Sequence, residues 1–422
     1  MIRHLGITLL ILLSAILLPL FLTTGMADDE YVLHEFDHLQ LDTDFYCEGA
    51  TFGDISGDGF LDLISGPFWF EAPGFEKKHT YYEPAPYSIE IYSDCFFHFV
   101  EDFNQDGRLD IFRIGFPGKE ASWYENPGSS NNGHWDQHIV FTGVDNESPT
   151  FVDITGDGKS EMVFIFEGKY GYAEPNWDAP EEPWTFTAIS EDRGLQRYTH
   201  GLGYGDVDGD GRMDLLEAKG WYKQPESLEG APVWAYNPFD FAVGGSQMYA
   251  YDFDGDGDND VVTADQAHAW GLVWHENLLE KGEVAFKTRT IMGEKPEEND
   301  YGVAFSQLHA MDLVDMDGDG VKDIITGKRY WAHMGKDPGG LMDPVMYWFK
   351  TVRLENGGVI FKPYHIGSQT GVGTQLVVQD YNMDQFPDIA IGNKKGIALY
   401  THKTRYVSRE EWEEAQPALY NQ

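Results

Sequence analysis

The same acidic nonapeptide returns seven times along the chain, with Asp at positions one and five and Asp or Glu at position nine. The copies begin at Asp54 (DISGDGFLD), Asp102 (DFNQDGRLD), Asp153 (DITGDGKSE), Asp206 (DVDGDGRMD), Asp252 (DFDGDGDND), Asp315 (DMDGDGVKD) and Asp380 (DYNMDQFPD). Successive starts lie 48, 51, 53, 46, 63 and 65 residues apart. A unit of that size, recurring along most of the chain, predicts a solenoid, a propeller or an array.

The repeated element also reads as a cation site. Positions one, three, five and nine carry side-chain oxygens, position seven offers a backbone carbonyl, and Gly at position six permits the sharp turn. The candidate ligands are Asp54, Ser56, Asp58 and Asp62; Asp102, Asn104, Asp106 and Asp110; Asp153, Thr155, Asp157 and Glu161; and Asp206, Asp208, Asp210 and Asp214. Asp252, Asp254, Asp256 and Asp260 follow, then Asp315, Asp317, Asp319 and Asp323, then Asp380, Asn382, Asp384 and Asp388. Hard oxygen donors in a flexible loop suit Ca²⁺ better than Zn²⁺ or copper. The loop is not an EF-hand, because no bidentate Glu stands at its twelfth position and the flanks are strand-like, as in FDFAVGGSQMYAYDFDGDGDNDVVTA. Up to seven structural Ca²⁺ ions are expected. The last copy has Gln385 for the turn Gly and Met383 for the Gly before it, which predicts a weak site or a plain structural turn.

Composition sets further bounds. With 422 residues, 42% of them apolar and 15% aromatic, the chain can bury a large core, and a repeat array from Asp54 to Asp388 favours one closed unit over two domains. The formal net charge is −42, and 24 of the 71 acidic residues occupy the loop positions just named. Such a balance argues against nucleic acid as a partner. The N-terminus, MIRHLGITLLILLSAILLPLFLTTGMA, has a basic start, an apolar run and small residues at Gly25 and Ala27. It reads as a signal peptide over residues 1–27, with an uncleaved anchor as the alternative, so that a membrane is a partner only if the segment stays attached. Either way the body is expected to be secreted, periplasmic or at the cell surface. The two cysteines, Cys47 and Cys95, each lie seven residues before a first Asp. Equivalent positions in neighbouring repeats of a radial array are close, so an oxidising compartment permits a disulfide between them, subject to its narrow geometry.

Each unit reads as four strands. An apolar strand enters the acidic loop, and a second leaves it (LDLISG, LDIFRIG, EMVFIFE, MDLLEAKG, DVVTAD, KDIITG, PDIAIGN). An aromatic third strand and a fourth strand follow, as in SWYENPG and HWDQHIVFT. Helical periodicity appears only in the tail SREEWEEAQ. The predicted class is all-β: a seven-bladed β-propeller with Ca²⁺ loops between the first and second strand of each blade. Residues 28–405 form it, closed by an N-terminal strand at 33–41 that completes the last blade, and 406–422 are a tail. Closure removes exposed sheet edges.

The motifs DVDGDGRMD and DFDGDGDND resemble the FG-GAP/VCBS repeats of integrin-α-type seven-bladed propellers. The resemblance covers nearly all of the chain after the N-terminal segment. It implies acidic loops holding Ca²⁺ at one end of a propeller, and says little about activity, since propellers host many functions.

Strand rise of about 3.3 Å per residue puts a residue six places before each first Asp roughly 20 Å from the loop, at the other end. Those residues are Glu48, Phe96, Glu147, His200, Ser246, His309 and Thr374. If the first strand is innermost, they ring the mouth of a central channel, and His98, two places beyond Phe96, projects the same way. The loops after the second strands return there with His268, Arg329 and His333. The expected cluster is His98, His200, His268, His309, His333, Glu48, Glu147 and Arg329, with Trp221, Trp270 and Trp331 as aromatic walls. Neutral imidazoles with carboxylates suit a transition metal, and His, Tyr and Arg suit acid–base work on a developing oxyanion. The architecture and His-bearing face are similar to certain polysaccharide lyases and to fungal aldos-2-ulose dehydratase, but no catalytic motif matches residue by residue. Two functions follow as expectations. One is a Ca²⁺-binding extracellular module that engages a glycan or a protein at the mouth. The other is a metal-assisted polysaccharide lyase or sugar dehydratase, with His98, His200, His268, His309, His333, Arg329 and Glu147 as candidates for catalysis. The sequence does not decide whether the chain is an enzyme.

Overall fold

A computed structural model describes residues 31–128, 133–279 and 283–420. The signal segment read at 1–27 lies outside them. The fold is all-β and propeller-like, with one short α-helix among the described residues, near the C-terminus. Among the described residues no helix is long and apolar enough to cross a membrane.

The acidic nonapeptide sets the register of every hairpin. The residue before position one pairs with position nine in each copy: Gly53 with Asp62, Glu101 with Asp110, Val152 with Glu161 and Gly205 with Asp214. Tyr251 with Asp260, Val314 with Asp323 and Gln379 with Asp388 continue the series. Position nine is also the first residue of each second strand, as in Asp110–Ile114 and Asp260–Ala264. The second strands are largely apolar and buried, Asp260–Ala264 and Asp323–Gly327 along their whole length, because sheets cover both of their faces.

Among the described residues the strands form three four-stranded sheets, one of seven and one of eight. The seven-stranded sheet is two meanders sharing the long strand Asp136–Val152. Its first half pairs with Lys119–Glu125 and its second half with Glu161–Phe166. The eight-stranded sheet is two meanders joined by parallel pairing of Leu202–Gly205 with Gln247–Tyr251. The N-terminal strand Tyr31–Asp42 pairs antiparallel with Gly396–Val407 and so completes the last sheet. The first strand of the first copy, Thr51–Gly53, touches both Phe97–Glu101 and Leu376–Gln379. The first and last repeats are therefore neighbours.

The core lies between sheets. Phe52, Leu63 and Phe70 of the first copy pack with Tyr381, Ala390 and Leu399 of the last. Val163, Ile165 and Tyr170 pack with Leu202, Leu215 and Tyr222 of the next repeat. The aromatic third strands supply much of this filling: Trp123, Trp348 and Tyr400 are fully buried. After the last strand, Ser408 caps the helix Arg409–Ala415, its hydroxyl accepting from the Glu411 N–H. That helix is the segment singled out in the tail.

Neighbouring first strands approach too closely for side chains at some points. A Cβ on Gly203 would lie 1.9 Å from Met248 O, and one on Gly373 would lie 1.8 Å from Glu48 O. Gly203→Ala must push two inner strands apart, and a loss of about 1–3 kcal/mol is expected. The check is a lower denaturant midpoint at unchanged m-value.

Candidate functional site

The acidic loops fold around their own carboxylates. At Asp54, Oδ1 accepts from the Gly57 and Asp58 N–H groups and Oδ2 from Gly59. Asp153 and Asp315 repeat this arrangement. The position-five carboxylate accepts from the position-seven N–H, as Asp58 does from Phe60 and Asp319 from Val321. The last copy keeps the pattern: Asp384 and Gln385 donate to Asp380. Gln385 does so at φ 77°, a left-handed conformation that costs a side-chain-bearing residue about 1–2 kcal/mol and that Gly adopts freely in the other copies.

Position nine has a role the motif did not reveal. Asp214 Oδ2 accepts from Val207 N–H at 3.0 Å, and Oδ1 accepts from the N–H of Gln224, the residue just after the third strand, at 2.9 Å. Asp62, Asp110, Asp260, Asp323 and Asp388 do the same. Each ties its loop to the third strand of its own sheet. Burial pushes these carboxyls up, Asp62 to about 6 and Asp110, Asp214, Asp260, Asp323 and Asp388 to about 7. Three loops carry a counter-charge: Arg108 pairs with Asp106, Lys223 with Asp208 and Asp210 (Arg212 also reaching Asp210), and Lys350 with Asp317 and Asp319. The loop at Asp252 has no lysine and adds a further acid, Asp258, whose carboxyl burial and Asp256 raise to about 7.

A second cluster gathers the residues six places before several of the first Asp positions. Glu147, His200, His268 and His309 bring one donor atom each within 4.8 Å of one another. The His200 and His309 rings stand at 72° and the His268 and His309 rings at 78°. Arg329, only 1% exposed, places one guanidinium nitrogen 3.1 Å from Glu48 and another 3.7 Å from Glu147. Burial disfavours the Glu147 carboxylate, yet His200, Arg329 and His268 hold its pKa down at about 2. Burial, then His200, lowers His268 to about 4, and burial and Arg329 hold His309 well below the usual imidazole range.

The cluster opens into a cavity of about 450 Å³ lined by Tyr92, Phe96, Phe116, Tyr198, Glu147, His200, His268 and His333. Beside it the backbone is strained: Trp331, His333 and Met334 have φ of 58°, 45° and 57°. Such left-handed conformations persist where surroundings over-determine them, often at functional sites. The His333 N–H donates to Tyr92 Oη at 2.9 Å, and Asp337 accepts from both His333 and His268.

The structure departs from the expected cluster at several points. His98 does not face the cavity. It is fully buried, with Cys47 Sγ 3.6 Å from Nδ1 and Cys95 Sγ 3.4 Å from Nε2. Its strand begins only at Phe97, so the alternation that was to carry Phe96 and His98 to one face starts too late. Cys47 and Cys95 are free thiols here, both buried. Ser246 and Thr374 are buried in backbone contacts; the Thr374 hydroxyl donates to Glu48 O and Phe96 O. The expected tryptophan walls lie elsewhere: Trp221 lines a different cavity, with Phe239 and Phe286, and neither Trp270 nor Trp331 lines the histidine cavity. The aromatic wall is Tyr92, Phe116 and Tyr198, which sequence reasoning missed along with Asp337. Of these only Tyr198 gave a signal, two residues before His200.

Against known proteins, the FG-GAP-like repeat model matches residues 102–164 and 252–326, which hold four of the seven nonapeptides. The chain therefore carries FG-GAP-like repeats. Among solved structures it resembles an Agrocybe aegerita lectin, described as recognising non-reducing terminal N-acetylglucosamine, at 17% identity over 87% of this chain and 85% of that one, with a TM-score of 0.47. It also resembles BBS1N, solved in complex with ARL6DN, at 11% identity over 87% of this chain and 94% of that one, TM-score 0.44. A third likeness is the Photorhabdus luminescens Tc holotoxin pore, at 18% identity over 74% of this chain and 14% of that one, TM-score 0.35. No curated protein matches the sequence.

Proposed function

We propose that the meanders are the seven blades of a closed propeller that works outside the cytoplasm, holds Ca²⁺ in its acidic loops, and binds a carbohydrate in the cavity beside the histidines. The observation that carries this reading is the cavity wall. Aromatic faces at Tyr92, Phe96, Phe116 and Tyr198 suit the apolar faces of sugar rings, and Glu147, His200 and His333 supply directional polar groups for hydroxyls. The volume falls in the range of about 300–1,000 Å³ usual for small-molecule sites. Ca²⁺ in the loops is supported by carboxylates crowded at positions one, three and five, as in Asp206, Asp208 and Asp210. An abundant extracellular supply of Ca²⁺ would fill even weak sites.

The test is a panel of oligosaccharides titrated against the protein and its Tyr198→Ala variant. Tyr198 is 51% exposed, so the substitution spares the core. Loss of one stacking aromatic is expected to weaken binding at least tenfold, about 1.4 kcal/mol. No binding by the parent protein, or equal binding by the variant, would sink the reading. A second reading is a metal-assisted lyase or dehydratase acting on a sugar in the same cavity. The convergence of three imidazoles on Glu147 favours it, and formation of an unsaturated sugar product is its signature.

A further inference from the structure

We infer that Glu147 and the Nε2 atoms of His200, His268 and His309 form a binding site for one divalent transition-metal ion of the Zn²⁺ class, set in the wall of the cavity. The inference deepens the second reading of that cavity, yet it stands on ligand geometry and holds whichever sugar chemistry proves correct.

The argument starts from the other ring nitrogen. His200 Nδ1 lies 2.9 Å from Tyr198 O, His268 Nδ1 lies 3.1 Å from Asp337 Oδ2, and His309 Nδ1 lies 3.4 Å from Gln307 O. Each of those partners can only accept, so each Nδ1 carries a proton. In a neutral ring the lone pair is then on Nε2, the arrangement of metal-bound histidines whose outer nitrogen is held by a carboxylate or carbonyl.

The inward atoms lack partners. His200 Nε2 and His309 Nε2 are buried without a hydrogen bond, and His309 is only 2% exposed. His200 Nε2 sits 3.3 Å from Glu147 Oε2, so a nitrogen lone pair faces a carboxylate oxygen. A proton or a cation must lie between them. A proton would serve that one pair and leave His309 Nε2 unsatisfied, whereas a metal ion serves all four donors. Tetrahedral Zn²⁺ with bonds of about 2.0–2.1 Å sets its ligand atoms roughly 3.3 Å apart, so a modest contraction of the cluster suffices. Three imidazoles and one carboxylate are the donors such an ion prefers, unlike the all-oxygen loops that suit Ca²⁺.

Arg329 bridges Glu48 and Glu147, and the Lys394 ammonium is a second cation near Glu48. Arg329 acts as a positioning residue: it holds Glu147 from behind and does not line the cavity. Glu147, His200 and His268 do line it, so a bound ion would be reachable by a ligand.

The test uses the full chain, stripped with chelator and reloaded with Co²⁺ in the presence of excess Ca²⁺ to keep the acidic loops filled. One equivalent of Co²⁺ retained through gel filtration, displaced by Zn²⁺, with the visible bands of a tetrahedral nitrogen–oxygen site, is expected. His309→Ala should lose that equivalent, and His268→Gln, at the accessible rim, should do the same if the first variant folds poorly. Cys47→Ser should keep it. Failure to retain Co²⁺, retention by both histidine variants, or thiolate charge-transfer bands lost in Cys47→Ser would overturn the site, the last by assigning the ion to Cys47, Cys95 and His98. Sugar binding is measured separately, so its absence with the Co²⁺ equivalent intact would count against the carbohydrate reading and leave the metal site standing.

Discussion

Excess chelator is expected to lower the melting temperature of this protein sharply, and Ca²⁺ to restore it. The unfolded chain has no assembled loops, so cation binding adds directly to folding free energy. With free Ca²⁺ at a hundred times the dissociation constant, each site contributes about 2.7 kcal/mol. Three or four such sites rival the whole stability of a typical domain, about 5–15 kcal/mol. For a chain of this length 10 kcal/mol corresponds to a shift on the order of 10 °C, from about 2.1 cal/mol/K of unfolding entropy per residue. The loops should not contribute equally. Lys223 and Lys350 already place ammonium groups against Asp208, Asp210, Asp317 and Asp319. A divalent ion there must displace a lysine, so those sites should be weaker. The loop at Asp252 has no lysine against its carboxylates: Arg353 donates to the Asp252 and Phe253 backbone carbonyls and stays 4.0 Å from the Asp252 carboxylate. Asp256→Ala should therefore remove a larger share of the Ca²⁺ response than Asp210→Ala, with little effect in chelator, where it relieves repulsion. Scanning calorimetry with and without Ca²⁺ measures both. A metal-free protein that melts at the same temperature as the loaded one would refute a stabilising role for the loops.

The sequence made the architecture legible because the repeat is long, acidic and fixed in register. Once position nine is known to begin a strand, every hairpin follows from a string search. The histidine cluster was partly legible for the same reason: a constant offset of six residues from the loop picks out Glu147, His200 and His309, which the fold brings together. The offset failed where local backbone was irregular. His98 is the second residue of a strand that starts at Phe97, and its ring turns to Cys47 and Cys95. Tyr92, Phe116 and Asp337 lie in connections of no fixed length, so no periodicity points to them. The bond from position nine to the end of the third strand was hidden for another reason. A carboxylate that binds a cation and one that accepts two backbone N–H groups look identical in sequence, and only the third-strand partner tells them apart.

That distinction yields the second large effect, Asp214→Ala, expected to destabilise the protein even when every metal ion has been removed. Asp214 is fully buried, and its two oxygens accept from Val207 N–H on the loop and from the N–H of Gln224, at the end of the third strand Gly220–Lys223. Removing the carboxylate leaves two buried donors with no partner, each costing about 1–3 kcal/mol, so a total of about 2–6 kcal/mol is expected. The damage should propagate, because the Gln224 side chain donates to Ile154 O in the preceding repeat. Asp214→Asn separates the contributions. Its carbonyl oxygen accepts from one of the two donors, and its neutral amide escapes the burial that pushes the Asp214 carboxyl up to about 7. In chelator the Asn variant should therefore sit between the Ala variant and the parent protein, while in Ca²⁺ it should fall further behind the parent. Denaturant midpoints of the three proteins, with and without Ca²⁺, give the comparison. If Ala and parent unfold together in chelator, position nine serves the cation alone, and the strap between loop and third strand is not what holds the hairpins in register.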